Sequence, residues 1–269
     1  MTSFNFVWPE GKPGALTTSW DDGTIFDRTL VPILNKYGIK GTWNLTSGML
    51  GKDKDQTGFQ DFISASEVQQ LYAGHEVACH SVNHPGLASM PGDVIISELF
   101  HDRKALEAFT GAPVQGLAYP FGSTNAQVRS IARSCGLVYG RGAIESCNFL
   151  HPDDFMDWAP SFHFDDRYPT IWEDFITPLW DGKLLFVFGH SFEFDPDKWE
   201  RIEDFCRLAG GHPDVWYATN LEVYEYINAW RGLSCTVDLS VIKNNSSREI
   251  WVRCAGRLVC IKPGEIKTL

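Results

Sequence analysis

Residues 15–23 read ALTTSWDDG, an apolar and β-branched run that ends in two aspartates and a glycine. Such a run is typical of a buried strand, and the glycine allows a tight turn directly after it. The segment Phe26–Tyr37 that follows has the apolar spacing of an amphipathic helix. The sequence therefore predicts a strand–turn–helix unit whose strand ends in adjacent carboxylates.

The same alternation of strand and helix continues to about residue 230. The predicted strands are Ala15–Trp20, Gly41–Leu45, Glu76–Cys79, Gly116–Tyr119, Val138–Arg141, Trp158–Ser161, Leu184–Gly189 and Val215–Ala218. The predicted helices are Phe26–Tyr37, Ser66–Tyr72, Pro91–Phe109, Asn125–Cys135, Ile171–Leu179, Trp199–Leu208 and Leu221–Trp230. Strands that alternate with helices form parallel βα units, and this number of units indicates a closed or nearly closed α/β barrel.

The pattern changes after Trp230. Three strand-like pieces, Thr236–Ile242, Ile250–Cys254 and Leu258–Ile261, are separated by turn residues. They predict a small antiparallel β appendage that packs on the barrel, since so short a segment cannot bury a core alone. We therefore expect a catalytic barrel over residues 1–232 and an appendage over 233–269.

Composition and charge exclude several classes of protein. The chain has 269 residues, of which 43% are hydrophobic and 21% charged, and these are values of an ordinary globular protein. No apolar run reaches the roughly 18 residues that a membrane span needs. The net charge of −11 disfavours nucleic acid as a partner. The opening residues show no secretory signal, so a cytoplasmic location is expected.

Polar residues follow four of the predicted strands. These are Asp21 and Asp22 after the first strand, His80, the segment Pro120-Phe121-Gly122, and His190. In a barrel of parallel strands the reactive groups lie at the carboxyl ends of different strands. Taken singly, these motifs are also typical of a solvated turn or a buried core histidine. Their coincidence at four strand ends indicates one active site.

Two of these strand ends contain potential metal ligands. His80 and His84 are four residues apart in HSVNH, a spacing that suits two imidazoles on one ion. With one carboxylate of the Asp21-Asp22 pair they make a set that leaves open positions, as catalytic metal sites do. Because neighbouring strand residues point in different directions, we expect one aspartate to face the cation and the other to accept a proton.

Together, TTSWDDG, HSVNH, AYPFG and the apolar strand that ends at His190 resemble the polysaccharide deacetylase family, the carbohydrate esterases with the NodB-homology fold. The resemblance covers roughly residues 15–230 and implies a distorted (β/α) barrel. It also implies an enzyme that removes N- or O-linked acetyl groups from a sugar or oligosaccharide. The expected cofactor is one divalent metal ion, usually zinc, with cobalt, nickel, manganese or iron as alternatives.

The resemblance assigns roles to the matching positions. It implies that Asp21 is the general base and His190 the general acid. The metal ligands would be Asp22, His80 and His84, and the backbone N–H of Phe121 would donate to the oxyanion. The nucleophile would be a metal-activated water. Four further residues near these motifs are expected to contact substrate: Tyr119, Pro120, Trp158 and His163.

Two features depart from the family pattern. Many members carry an arginine that braces the catalytic base where this chain has Ala118. We therefore expect that another group braces Asp21, or that Asp21 is less tightly held. The sequence also leaves undecided which carboxylate tunes the pKa of His190, and the candidates are Asp154, Asp157 and Asp165.

Three other functions are compatible with parts of this pattern. A small-molecule amidohydrolase acting on cyclic ureides or imides would keep the barrel but could lose the metal ligands. A non-haem iron oxygenase also uses two histidines and one carboxylate, although on a different fold and in a different order. A non-catalytic carbohydrate-binding protein would keep the scaffold, but Asp21 and His190 would then have no reason to be intact.

Overall fold

Parallel strands and helices alternate along residues 14–231 of the computed structural model, which describes residues 4–269. The strands are β1 (Phe4–Phe6), β2 (Gly14–Asp22), β3 (Gly41–Leu45), β4 (Glu76–Cys79), β5 (Gly116–Ala118), β6 (Tyr139–Arg141), β7 (Phe162–His163), β8 (Lys183–His190), β9 (Val215–Tyr217), β10 (Ser234–Cys235), β11 (Val241–Lys243), β12 (Ile250–Cys254), β13 (Arg257–Ile261) and β14 (Ile266–Thr268). The helices are α1 (Asp27–Lys36), α2 (Lys54–Thr57), α3 (Val68–Leu71), α4 (Gly92–Thr110), α5 (Ala126–Ser134), α6 (Tyr168–Ile176), α7 (Trp199–Ala209) and α8 (Asn220–Arg231).

One curved parallel sheet forms the barrel. Its strand order is β6-β5-β4-β3-β2-β8-β7, and β9 pairs with β2. Strand β2 is buried along its whole length and lies between β3 and β8, with Asp21 in register with Asn44 and with His190. The carboxyl ends of these strands therefore lie side by side. This is the distorted (β/α) barrel that the sequence predicts.

One predicted strand of the barrel is wrong. The strand next to β8 is β7 at residues 162–163, whereas Trp158 forms only an isolated bridge to Arg141. The predicted run contains Pro160, which lacks the N–H that a central strand must donate. The observed strand therefore begins at Phe162, beyond the proline and four residues after the predicted start at Trp158.

The last part of the chain forms two small antiparallel sheets, with strand orders β1-β12-β13 and β10-β11-β14. The first of them includes β1, which the sequence does not predict, so this sheet joins both ends of the described chain. Strand β12 packs on helix α8, where the backbone N–H of Trp251 donates to the hydroxyl of Tyr226 at 3.1 Å. A β appendage on the barrel is therefore observed, and the division at residue 232 stays a prediction.

Burial in the barrel follows the sheet. The interior contains several large aromatic side chains that are essentially inaccessible to solvent, among them Trp8, Trp20, Trp43 and Trp158. Burial of this much aromatic surface is a major source of stability. None of the helices in residues 4–269 combines the length and the apolar character needed to cross a bilayer.

Candidate active site

Three side chains predicted as metal ligands meet at the carboxyl ends of β2 and β4. Asp22 Oδ1 lies 3.6 Å from His80 Nε2 and 3.7 Å from His84 Nε2, and the two Nε2 atoms are 3.1 Å apart. Ligand atoms held at about 2.0–2.2 Å from a tetrahedral zinc ion lie about 3.3–3.6 Å from one another. The three atoms therefore fit one divalent cation of this size.

Both aspartates of the first motif face the same histidine, contrary to the expectation that they would point in different directions. Asp21 Oδ2 lies 3.9 Å from His80 Nε2, close to the 3.6 Å of Asp22 Oδ1. Asp22 has a φ of 81°, in the left-handed region that non-glycine residues rarely adopt. This conformation breaks the alternation of the strand and turns the second carboxylate to the same side as the first.

Helix α4 anchors the loop that carries the two histidines. The Asp102 carboxylate accepts hydrogen bonds from the N–H groups of Ser47 and His80, at 3.0 and 2.9 Å. One turn earlier on α4, Glu98 accepts from the backbone N–H and side-chain amide of Asn83, at 2.8 and 2.7 Å. Residues four apart lie on one helix face, so a single face of α4 holds this loop.

The surroundings of His80 leave its Nε2 available as a ligand. Its Nδ1 lies 2.8 Å from the carbonyl oxygen of Ala118, a distance at which Nδ1–H donates to that oxygen. Burial lowers the pKa of His80 to about 3, although Asp21 acts in the opposite direction. A neutral imidazole with its proton on Nδ1 presents the Nε2 lone pair to a cation.

Arg141 is the group that braces Asp21. Its guanidinium donates to both carboxylate oxygens of Asp21, with Nη2 2.5 Å from Oδ2. The Asn44 amide donates to Oδ1 at 2.9 Å. Burial raises the pKa of Asp21, but the charge of Arg141 and those of the nearby histidines outweigh it and lower the pKa to about 2. Asp21 is therefore held ionised.

Arg141 lies on the strand next to the one where the arginine of the family pattern is missing. Arg141 ends β6, and its Cα is paired with that of Ala118 on β5. The arginine expected on one strand is thus supplied by the next strand in the same register. Sequence reasoning missed it, although Arg141 ends a predicted strand and could have been found by the criterion applied to His80 and His190.

Glu193 is the carboxylate that contacts His190. Its Oε1 lies 3.1 Å from His190 Nδ1 and 3.1 Å from His163 Nε2, and its Oε2 accepts from the His190 N–H at 3.1 Å. Burial lowers the pKa of His190, but the hydrogen bond with Glu193 and the charges of Asp21 and Asp22 outweigh it and raise the pKa to about 9. His190 is therefore a cation near neutral pH.

The three carboxylates considered from the sequence lie elsewhere. Asp154, Asp157 and Asp165 form ion pairs with Arg133, Arg129 and Arg167. Because each is engaged by a neighbouring arginine, none is the partner of His190. Glu193 follows His190 by three residues in a 3₁₀ turn, Ser191–Phe194, and this spacing was the available signal.

Phe121 lies in a 3₁₀ turn, Pro120–Gly122, at the end of β5. The two hydrogen bonds of this turn run from Gly122 N–H to Tyr119 O and from Ser123 N–H to Pro120 O, so neither uses the N–H of Phe121. The Phe121 ring is 73% exposed and meets the His84 ring edge to face, with centroids 4.5 Å apart. The Phe121 ring thus lies against a predicted metal ligand, and the hydrogen bonds of the turn leave the Phe121 N–H unused.

The site opens into a cavity of about 510 Å³ with a largely aromatic wall. Phe59 and Phe192 meet edge to face at 5.2 Å, which joins the loop after β3 to the turn after β8. Asn83, Thr46 and Thr57 are among the few polar side chains on this wall apart from the residues already described. The cavity therefore offers aromatic surface to a ligand and few hydrogen-bonding groups.

The four expected substrate contacts divide between the cavity and its surroundings. Tyr119 lines the cavity, but it is 1% exposed and its hydroxyl donates to the carbonyl of Met156 at 2.9 Å. Pro120 is buried beneath the turn, and His163 contacts Glu193. Trp158 does not line the cavity. It is buried in the core against Phe186, with ring centroids 4.6 Å apart, so the expectation that it contacts substrate is corrected.

A comparison with protein families places these motifs in a known group. Residues 9–140 match the model of the polysaccharide deacetylase family. This part of the chain belongs to the polysaccharide deacetylase family. The match includes the residues of the first three motifs, whereas Arg141, His163, His190 and Glu193 lie beyond it.

Individual relatives of this polysaccharide deacetylase family member are distant. Chitin deacetylase 2 of Cryptococcus neoformans is 28% identical over 169 residues, which cover 56% of this chain and 33% of the relative. The chain thus spans about a third of that relative's length.

Solved structures show the same fold over most of the chain. A Mycobacterium smegmatis protein assigned as a polysaccharide deacetylase superposes with a TM-score of 0.62 at 17% identity, covering 86% of this chain and 96% of that one. A family 4 carbohydrate esterase from Streptomyces lividans, solved in complex with acetate, superposes with a TM-score of 0.52 at 19% identity, covering 77% and 93%.

Replacing Glu193 by glutamine is expected to lower the pKa of His190. The amide oxygen still accepts a hydrogen bond from Nδ1–H, but the negative charge that favours the cation is gone. If His190 is the general acid, only its protonated form is active. As the pH rises, the variant should therefore lose activity at a lower pH than the wild type does. We expect the alkaline limb of the pH–rate profile to move down by about one to two units.

The control for this measurement is Asp157→Asn. Asp157 was a sequence candidate for the same role, and it is 59% exposed and paired with Arg129. Its replacement should leave the alkaline limb where it is. An unchanged limb in Glu193→Gln, or an equal shift in the two variants, would show that Glu193 does not tune His190.

Proposed function

We propose that this chain is a metal-dependent deacetylase that removes N- or O-linked acetyl groups from a sugar or oligosaccharide. The observation that carries the proposal is the convergence of two titratable groups on the metal-ligand set. Asp21 Oδ2 lies 3.9 Å from His80 Nε2 and 3.9 Å from His190 Nε2. One group is held as an anion and the other as a cation, as a general base and a general acid require.

The metal would be held by Asp22, His80 and His84. When bound there, a divalent cation such as zinc would polarise the acetyl carbonyl and lower the pKa of a water molecule. Asp21 accepts the proton of the attacking water. Arg141 and Asn44 leave this carboxylate little freedom to turn away, because they donate hydrogen bonds to its oxygens.

His190 completes the reaction from the opposite side. Its Nε2–H donates a proton to the leaving nitrogen or oxygen, which an amide needs because an amine anion leaves poorly. The backbone N–H of Phe121 donates to the oxygen of the tetrahedral intermediate. One proton thus passes from water to Asp21 and another from His190 to the leaving group, and exchange with solvent restores both residues.

The aromatic wall of the cavity favours a second candidate. A small-molecule amidohydrolase, acting on a cyclic ureide or imide, would bind a flat and poorly hydroxylated ring between Phe59, Phe121 and Phe192. Sugar rings also stack on aromatic faces, so the deacetylase remains the first proposal. The presence of the acid, the base and the full ligand set opposes a non-catalytic carbohydrate-binding role.

Acetate release from a panel of substrates tests the proposal. The panel contains acetylated chito-oligosaccharides, acetylated xylo-oligosaccharides and, for the second candidate, a hydantoin and a dihydropyrimidine, whose ring opening is followed separately. We expect acetate release that a chelator stops and that added zinc or cobalt restores. His101→Ala is a matched control, because this exposed histidine hydrogen-bonds with Ser97 on its own helix. Ring opening without acetate release would favour the amidohydrolase, and chelator-resistant activity would contradict metal dependence.

A further inference from the structure

A second group of potential metal ligands lies beside the first. It consists of His163 on β7, His190 at the end of β8 and Glu193 in the turn that follows. His163 Nε2 and His190 Nδ1 each lie 3.1 Å from Glu193 Oε1, and all three atoms are within 4.8 Å of one another. Ligand atoms about 3.3–3.6 Å apart suit a tetrahedral zinc ion, so only a small movement of the imidazoles is needed.

This group is open to solvent from its own side. The side chains of His163, His190 and Glu193 are 33%, 26% and 30% exposed. His163 and Glu193 line a separate cavity of about 330 Å³, whereas His190 lines the main cavity. An ion can therefore reach Glu193 without passing through the main cavity. Three protein ligands with a solvent-facing fourth position are the arrangement of an open zinc site.

We propose that His163, His190 and Glu193 form a second zinc site, weaker than the first, whose occupation inhibits the enzyme. Zinc takes the place of the proton on His190 Nδ1, and that proton goes to solvent. His163 frees its Nε2 by moving its own proton to Nδ1, so no other group has to change charge. The site is weaker because the ion must displace a proton that Glu193 already holds on His190 by a hydrogen bond.

The inhibition follows from the position of His190 between the two sites. Its Nε2 faces Asp21, and its Nδ1 faces Glu193. With zinc on Nδ1 the imidazole can no longer carry two protons, so it cannot act as the cationic acid. This consequence rests on the proposed function, whereas zinc binding by the three side chains does not.

Counting bound zinc tests the site directly. Equilibrium dialysis against increasing free zinc, followed by elemental analysis, should give two ions per wild-type chain and one per chain of His163→Gln. Glutamine can still donate a hydrogen bond to Glu193, but its amide is a poor zinc ligand. Glu193→Gln should also bind one ion, which covers the case in which the His163 variant does not fold. His84→Ala should lose the tighter ion and keep the weaker one.

The control variant is His101→Ala, which should still bind two ions. If the second ion were instead bound by exposed surface histidines, this variant would bind less zinc. A His163→Gln chain and a Glu193→Gln chain that bind as many zinc ions as the wild type would overturn the proposal. So would loss of the second ion in the control.

Activity provides an independent readout. Zinc concentrations that fill the second site should slow acetate release by the wild type at least tenfold, and should not slow His163→Gln relative to its own rate at low zinc. Equal inhibition of both chains would overturn the inhibitory role. If no substrate is turned over, the deacetylase proposal fails, and the zinc count still decides whether the second site exists.

Discussion

Asp21→Asn should lose nearly all turnover and keep its metal, whereas Asp22→Asn should lose the metal first. Removal of a general base typically reduces the rate by about 10²–10⁴, equivalent to roughly 3–5 kcal/mol of barrier. Asp21 is engaged by Arg141 and Asn44, so it has little capacity left for a cation. Asp22 Oδ1 instead lies within 3.7 Å of both imidazole Nε2 atoms.

Metal content and activity are measured on the same preparations. In Asp22→Asn, excess zinc should restore part of the activity, because the defect lies in affinity. In Asp21→Asn it should restore none. Asp27→Asn is the matched control, since Asp27 is a buried carboxyl on the next helix whose pKa burial raises to about 7. Equal metal loss in the Asp21 and Asp22 variants, or full activity in Asp21→Asn, would show that the two roles are assigned wrongly.

Arg141→Met should lower the stability of the fold as well as the rate of the reaction. It leaves the Asp21 carboxylate buried without its cationic partner, and breaking a buried pair in this way costs about 3–5 kcal/mol of unfolding free energy. Burial then acts on Asp21 with less opposition, so its pKa should rise from about 2. Denaturant unfolding of wild type and variant measures the first effect.

The pH dependence of stability measures the second effect. In the wild type the pKa of Asp21 is lowered from 3.8 to about 2 by folding. The ionised pair therefore contributes stability above pH 3.8, and this stability is lost as pH falls toward 2. Arg141→Met lacks that contribution, so the difference between wild type and variant should shrink over the same range.

Two further variants separate this pair from a general effect of losing an arginine. Arg28→Met removes an exposed partner of Glu67 and should change stability by about 0–1 kcal/mol. The double variant Asp21→Asn/Arg141→Met removes both charges and should be less destabilised than the sum of the single variants. Simple additivity would mean that the two side chains do not stabilise each other.

Local sequence pattern was sufficient for much of the barrel. Strands Gly41–Leu45 and Glu76–Cys79 begin and end where they were predicted. These features depend on residues within one strand or one helical turn, so a short window contains the information. The proximity of Asp22, His80 and His84 was predictable for a similar reason, because strand ends of a parallel barrel meet at one edge.

The partners of Asp21 and His190 were decided only by the tertiary structure. Arg141 reaches Asp21 across 120 residues of chain, and His163 reaches Glu193 from a strand that follows Pro160. No local sequence pattern predicts such contacts, since they arise from the curvature of the sheet. The left-handed conformation of Asp22 is likewise imposed by its surroundings, because an isolated strand would continue its alternation and turn the two carboxylates apart.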